Sequence, residues 1–377
     1  MVLERNALHQ VLIDYKYPVL SLPSEITSQI FVQFLPSYPE RTSFIGLSSP
    51  ALLLQVCRQW RDVALATPEL WSTFEVKMRY RDTPAVHARN QRLLVEWLER
   101  SKDCPLSVEL FCWSGSSVAL VEAALIDALV RHSKRWQDMR LSLPYKHLHR
   151  MAGSFPILRD LHLGAQGAWS SDGTKLSPPP NFTLQTPNLR KLHLDHPGDD
   201  FDTFKNAFSW SQITVFIGYL YERDAAQVLL SAPALEECSM IVDLAKDSEG
   251  GRRISKKVSP PIIPPLHHLK SLALTPSGSP GRNGAVLLKA LATALPVLAI
   301  FDVDESLLGS EDPVATLSLL CPPCYTGRVK VRDARTTAVV YELALPNVEE
   351  LVVEQWVRHL IGCLCCDDSL EDDSDSE

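Results

Sequence analysis

The sequence lacks any apolar run of the roughly 20 residues that a membrane-spanning helix needs. Its most apolar stretch, AVLLKALATALPVLAIF, is interrupted by Lys289 and Pro296. The first residues, MVLERNALHQ, carry Glu4 and Arg5 where a secretory signal needs an apolar segment. We therefore expect a protein that is neither inserted into a membrane nor secreted.

The sequence also lacks an excess of basic charge. Its net charge is −8, but seven acidic residues lie in the last eleven positions, and without these seven the net charge is −1. Such a balance argues against a nucleic-acid-binding protein. The nine cysteines are an odd number and most are scattered in apolar stretches, which favours free thiols over a disulfide framework. These features predict a cytoplasmic or nuclear protein.

What the sequence does have is enough chain for two folded units. It contains 377 residues, of which 45% are apolar and 22% charged, as in soluble globular proteins. We predict a small helical unit at residues 18–76 and a repeated α/β unit at residues 88–358. Residues 359–377, which contain cysteines and are acidic, are expected to form a disordered tail.

The N-terminal unit is predicted to contain two helices with unusually wide apolar stripes. In LSLPSEITSQIFVQFL, Ile26, Ile30 and Phe34 recur at helical spacing, and Phe31 and Leu35 form a second row beside them. The segment ALLLQVCRQWRDVALAT predicts one further helix that ends before Pro68. A unit this short cannot bury stripes of this width on itself, so they predict an external partner.

The same residues carry a resemblance to a known family. Leu22-Pro23-x-Glu25-Ile26, Ile30-Phe31, Val56-Cys57-Arg58-x-Trp60-Arg61 and Pro68-x-Leu70-Trp71 resemble the F-box, in the version common in mushroom-forming fungi. The resemblance implies a helical unit that docks on a Skp-type adaptor, which in turn binds a cullin scaffold. It assigns the adaptor contacts, or their immediate support, to Leu22, Pro23, Ile26, Ile30, Phe31, Val56 and Trp60.

Two points leave that assignment open at the level of sequence. The segment PSYPERTSFIGLSSP between the predicted helices is longer than a compact F-box needs, and we interpret it as a surface loop. The alternative to an F-box is an ordinary helical domain whose stripes pack internally.

The rest of the chain repeats one short pattern, Pro-x-Leu/Val-x-x-apolar-x-apolar. It begins at Pro156, Pro187, Pro233, Pro296 and Pro346, and related segments begin at Trp136, Ile213 and Leu269. Helical stretches precede several copies, which predicts an α/β fold of parallel strands with helices on the outer side. The pattern resembles the leucine-rich repeats that follow F-boxes and implies an irregular solenoid. The alternative is a single α/β domain with similar strands.

Alternation along each predicted strand separates core residues from outward-facing ones. The second and third apolar positions are expected to face the core, and the residues beside them an extended surface suited to a target protein. The predicted target-binding residues are Arg140, His162, Lys191 and His193 in the early repeats and Glu237, Asp302 and Glu350 in the later ones. The early half is mixed to basic and the later half acidic, so we expect the basic end of a target near the C-terminal repeats.

Residues suited to metal or redox chemistry are present but lack full motifs. CPPC (Cys321 to Cys324) and CLCC (Cys363 to Cys366) could supply thiolates, yet no second CxxC and no histidine pair at ligand spacing accompany them. His162 and His193 occupy matching positions and are expected to be neighbours in the sheet. A metal or proton-sensing pair is the functional alternative, and solvated histidines are our interpretation. We predict no catalytic residue, no metal and no cofactor.

These observations favour a substrate-recognition adaptor of a Skp–cullin–F-box ubiquitin ligase. Its F-box would bind the Skp-type adaptor, and its solenoid would hold a target protein that the sequence does not identify. Nucleic acid and membranes are not expected partners. The alternatives are a repeat scaffold that directs no degradation and, from another class, a zinc- or thiol-dependent enzyme.

Overall fold

The computed structural model describes residues 21–79, 82–112, 119–166, 183–195, 201–243, 266–277, 300–304, 328–332 and 339–344. Within these ranges the protein is a mixed α/β fold built on a mostly parallel central sheet. None of the helices in the ranges combines the length and the apolar character that a membrane span requires. The predicted tail, CPPC, CLCC and the repeat that begins at Pro346 lie outside the described residues.

The helices follow the apolar periodicity of the sequence with one exception. In chain order they are α1 (Ser24–Val32), α2 (Leu53–Val56), α3 (Arg58–Ala66), α4 (Pro84–Arg100), α5 (Ala119–Val130), α6 (Phe201–Ala207) and α7 (Glu222–Ser231). The prediction of one continuous helix over the second apolar stripe was wrong. Cys57 is extended, with φ −158° and ψ 172°, and its Sγ accepts a hydrogen bond from the Trp60 backbone N at 3.4 Å. Cys57 therefore ends α2 and caps α3.

The strands form one large sheet and a small separate pair. They are β1 (Thr42–Ser43), β2 (Thr73–Met78), β3 (Leu106–Cys112), β4 (Trp136–Pro144), β5 (Gly153–Ser154), β6 (Asp160–Gln166), β7 (Leu184–Gln185), β8 (Lys191–Asp195), β9 (Val215–Tyr221), β10 (Glu237–Asp243), β11 (Ser271–Ser277), β12 (Ile300–Asp304), β13 (Arg328–Arg332) and β14 (Val339–Ala344). The twelve-stranded sheet runs β1-β2-β3-β4-β6-β8-β9-β10-β11-β12-β13-β14, so strand order follows chain order. Its pairs are parallel except β13 with β14.

One face of this sheet is buried because apolar residues recur at every second position. The buried positions include Met139 and Leu141 on β4, Leu161 and Leu163 on β6, and Leu192 and Leu194 on β8. The alternating residues have intermediate exposure on β2, β8 and β9. We call the side that carries Glu109, Arg140, His162 and His193 the polar face. The predicted alternation of core and outward residues is confirmed for β6 and β8.

Aromatic residues join the N-terminal helices to the sheet. Trp71 and Trp97 are almost completely buried and meet edge to face at 5.1 Å between ring centroids. Phe44 lies 5.1 Å from Trp97 and 5.4 Å from Phe74, again between centroids. One continuous hydrophobic core thus extends from Phe31 to Leu274. The boundary between units at 76 and 88 stays a prediction, and the core crosses it without interruption.

Part of the long segment between α1 and α2 belongs to the sheet and the core, so the interpretation of the whole segment as a surface loop was wrong for that part. Its residues Thr42–Ser43 form β1 and pair in parallel with β2. The Thr42 hydroxyl donates a hydrogen bond to the Thr73 carbonyl oxygen at 2.7 Å, and Phe44 is only 5% exposed. The segment therefore forms the first edge of the sheet and covers part of the aromatic core.

Candidate functional site

The outer side of α1 carries an exposed apolar row. Ile26 is 50% exposed, Ile30 49% and Phe34, just past the helix end, 40%. These three residues, which we call the α1 row, follow one another at intervals of four, so they share one side of the helix. On the adjoining side, Thr27 and Phe31 are buried. A helix that is packed on one side and apolar on the other presents its free side to a partner.

The seven predicted adaptor-contact residues divide into an exposed group and a supporting group. Pro23, Ile26, Ile30 and Val56 are exposed, Val56 at 58%. Leu22 and Trp60 are half-buried.

Phe31 belongs to the supporting group and is 2% exposed. Its ring meets that of Trp60 edge to face at 5.0 Å between centroids and so fixes α1 on α3. Phe31 is therefore a core residue that holds the α1 row in place, whereas the sequence had placed it in a second row and grouped it with Ile30 as an adaptor contact or its immediate support.

The predicted early target-binding residues do meet on the polar face. Strand register places Glu109 on β3 opposite Arg140 on β4, Arg140 opposite His162 on β6, and His162 opposite His193 on β8. The row continues to Ile217 on β9. Equivalent positions of the sequence repeat thus lie side by side, as the pattern predicted.

An arginine from outside the repeats crosses this face. The Arg41 side chain is 1% exposed; it donates a hydrogen bond to Asp138 and lies 3.6 Å from a Glu109 carboxylate oxygen. Arg140 lies 3.9 Å from the same Glu109 oxygen. The strand pattern had predicted that Asp138 faces outward and is free. Asp138 is buried instead, because Arg41 covers it.

A second set of contacts involves Tyr38 and Asp160. The Tyr38 hydroxyl donates a hydrogen bond to Asp160 Oδ2 at 3.2 Å, and Lys191 Nζ lies 3.3 Å from the same oxygen. Burial and the negative charges of Asp138 and Asp160 raise the pKa of Tyr38. The basic character predicted for the early half is therefore offset, since Arg140 and Lys191 each have an acidic partner.

The third feature of the polar face is a histidine–aspartate cluster made of His162, His193 and Asp195. The two imidazole rings are stacked, with centroids 3.8 Å apart and 17° between planes. His193 Nε2 lies 2.8 Å from Asp195 Oδ1, and His162 Nε2 makes a hydrogen bond with Asp195 Oδ2. Each ring thus directs its Nε2 atom at the carboxylate of Asp195.

The electrostatics of the cluster follow from these contacts. Burial would raise the pKa of Asp195, but the hydrogen bonds from His162 and His193 outweigh it and hold that pKa far below its usual range. Burial lowers the pKa of His193, against the hydrogen bond from Asp195 that raises it. Asp195 is therefore a carboxylate at neutral pH.

Two of the three predicted acidic residues of the later half lie on described strands. Glu237 is exposed on β10. Asp302 lies on β12, where the register sets it opposite Lys330 of β13. Arg328 and Arg332 occupy the alternate positions of β13, so this strand adds three basic positions that the target prediction had not included. Glu350 lies outside the described residues.

The cysteines of the described ranges include two core thiols. Cys112 and Cys238 are buried and free, and burial raises the pKa of both, that of Cys238 to about 12. A thiol in such surroundings is a weak nucleophile. The burial of these two thiols fits the expectation of free thiols in apolar stretches, whereas Cys57 and Cys104 are half-buried.

Sequence reasoning missed the partners of the residues it found. Tyr38 and Arg41 belong to a segment interpreted as a loop, and Glu109 precedes the repeats that were aligned. Asp195 lies two residues after His193, so strand alternation alone sets it on the same face. The preceding repeat has Gly164 at the position opposite Asp195, and for this reason the match between copies did not reveal it.

Comparison with protein-family models finds no match for the chain. Comparison with curated proteins likewise finds no matching relative.

Proposed function

We propose that the protein is a substrate-recognition adaptor of a Skp–cullin–F-box ubiquitin ligase. In this proposal residues 18–76 act as the F-box, and the repeated α/β part is an irregular leucine-rich-repeat solenoid that holds a target protein. The chain supplies no catalytic group. It raises the concentration of the target near a ubiquitin-conjugating enzyme that the complex recruits elsewhere.

The observation that carries the proposal is the α1 row. Ile26, Ile30 and Phe34 are 40–50% exposed, although α1 is anchored through Phe31 on its other side. Full burial of an exposed side chain of this size contributes roughly 1.5–3 kcal/mol, so covering the half that remains exposed contributes about half of that for each residue. A groove of a Skp-type adaptor that accepts an apolar helix side fits this row.

The order of strands in the sheet supports the second half of the proposal. Each strand of the large sheet pairs with the strand of the same sheet that follows it in the chain. Repeat arrays add their units in this way. Helix α7 packs against β9 and β10, so at least one unit has the expected strand–helix–strand form. In this proposal the polar face is where the target binds.

The test is co-purification of the full chain with a Skp-type adaptor. The double variant Ile26→Asp with Ile30→Asp should lower adaptor affinity by at least 100-fold, because two charges would have to be buried in an apolar interface. Ile157→Asp is the matched control, since Ile157 is 37% exposed and lies far along the chain between β5 and β6. Undiminished co-purification of the double variant would refute the F-box assignment.

A second measurement separates an adaptor from a scaffold. If the complex directs degradation, bound partners accumulate when the proteasome is blocked and are stabilised by the same double variant. Partners whose turnover does not depend on the α1 row would instead indicate a repeat scaffold.

A further inference from the structure

The histidine–aspartate cluster is the one group in the described residues where three potential metal ligands converge. The available ligand atoms of His162, His193 and Asp195 all lie within 4.8 Å of one another. All three residues are on adjacent strands of the sheet, His162 on β6 and the other two on β8. Ligands carried by paired strands are held more firmly than ligands on loops.

The geometry points to a binding site for a divalent transition metal of the Zn²⁺ type, with His162 Nε2, His193 Nε2 and an oxygen of Asp195 as ligands. Two imidazoles and one carboxylate are a donor set that Zn²⁺ and neighbouring first-row metals accept. From the sequence alone, both histidines were interpreted as solvated. Asp195, which completes the set, is what changes that interpretation. The inference does not depend on the proposed adaptor function.

Metal binding requires a rearrangement of side chains but not of the strands that carry them. Tetrahedral Zn²⁺ with bonds of about 2.0–2.1 Å separates its ligand atoms by about 3.3 Å. His193 Nε2 and Asp195 Oδ1 are now 2.8 Å apart. This pair needs to open by only about half an ångström, and the two stacked rings, 17° apart in plane, must turn about their side-chain torsions so that both Nε2 lone pairs meet one ion.

The surroundings leave the metal accessible. The side chain of Asp195 is 44% exposed and that of His162 29%, whereas His193 is 14% exposed. Gly164, opposite Asp195, has no side chain, and a Cβ there would already lie 3.5 Å from the Cβ of Asp195. Because the side chains of Asp195 and His162 are partly exposed, water or a donor atom of a bound partner can reach an ion held there.

The experiment uses the full chain, in which the cysteines of the CPPC and CLCC segments are substituted so that they cannot compete for the metal. Cys321, Cys324, Cys363, Cys365 and Cys366 are replaced by Ser, and the metal-free protein is titrated with Zn²⁺ by calorimetry. We expect one Zn²⁺ per chain. Co²⁺ bound in its place should give a visible spectrum without the intense near-ultraviolet band of thiolate ligation, as histidine and carboxylate ligands require.

Single variants identify the ligands. His162→Ala, His193→Ala and Asp195→Asn in that background should each weaken Zn²⁺ binding by at least about 10-fold, the lower bound known for loss of an outer-shell partner. Lys270→Gln is the matched control, because Lys270 also lies against a carboxylate, that of Glu236, but is no ligand and directly precedes β11 in a different part of the sheet, and the affinity of this variant should stay within about threefold. His162→Asn and His193→Asn repeat the test should an alanine variant not fold. Absence of Zn²⁺ binding, or binding that His193→Asn leaves unchanged, would overturn the site.

Discussion

The α1 row and the polar face are both surfaces built on one hydrophobic core, yet their side chains are satisfied in opposite ways. Ile26 and Ile30 keep about half of their surface exposed. On the polar face, Arg41, Lys191 and His193 each lie against a carboxylate of the same chain. An exposed apolar surface is stabilised only when a partner removes water from it. The paired charges already have partners within the same chain. The comparison teaches that the stronger demand for an external partner comes from the helix.

The largest effect on the difference between these two surfaces is expected from the buried residue that supports the α1 row. Phe31 is 2% exposed and packs on Trp60, so Phe31→Ala should lower the free energy of unfolding by about 3–5 kcal/mol. The adjacent Ile30→Ala is the matched control and should lower it by only about 1 kcal/mol, because Ile30 is 49% exposed. Urea denaturation of both variants measures the difference. Similar losses in the two would mean that the row is packed, not free.

The pairing of the polar face is tested by removing its buried arginine. Arg41→Leu leaves Asp138 without its cation and should destabilise the protein by about 3 kcal/mol at neutral pH. Adding Asp138→Asn should recover part of that loss, since the unpaired charge is then absent. Thermal unfolding of the single and double variants gives the comparison.

The same substitution has a pH dependence of defined sign. Burial raises the pKa of Asp138 and Arg41 lowers it, so removing Arg41 raises the folded-state pKa further above that of the unfolded chain. In the folded variant, the charged form of Asp138 is the one that costs free energy. The deficit of Arg41→Leu relative to the original protein should therefore shrink as the pH falls through the raised pKa of Asp138. A deficit independent of pH would show that lost packing, not charge, is its cause.

Much of the fold could be predicted because strand and helix periodicities are local. The segments that begin at Trp136, Pro156, Pro187 and Pro233 each contain the strand that their alternation predicted, and the register then brings His162 beside His193. The candidate site was predicted only in part. Arg41 and Asp138 are 97 residues apart in sequence, and no local pattern relates them.

The smallest effect is expected from exposed charge on the polar face. Glu237→Lys, alone and combined with reversal of Asp302 and Glu350, should weaken target capture by less than about 1 kcal/mol per residue and only at low salt. Adaptor co-purification should not change. Recovery of bound target after proteasome block, compared at low and high salt, measures it. If recovery is equal in all variants, the target binds outside this charged face.

What the sequence by itself determined is which residues enter the core. Leu161 and Leu163, or Leu192 and Leu194, are buried because the side-chain period of a strand is two and the sheet has one apolar side. What only the tertiary structure decided is which polar residues meet. The segment after α1 carries Tyr38 and Arg41 onto the strands, and Asp195 joins two histidines into one cluster. The burial of a core residue depends on many contacts and therefore appears in the sequence as a periodic pattern of apolar residues. A pair of charges depends on two distant segments of backbone that come together only when the chain folds.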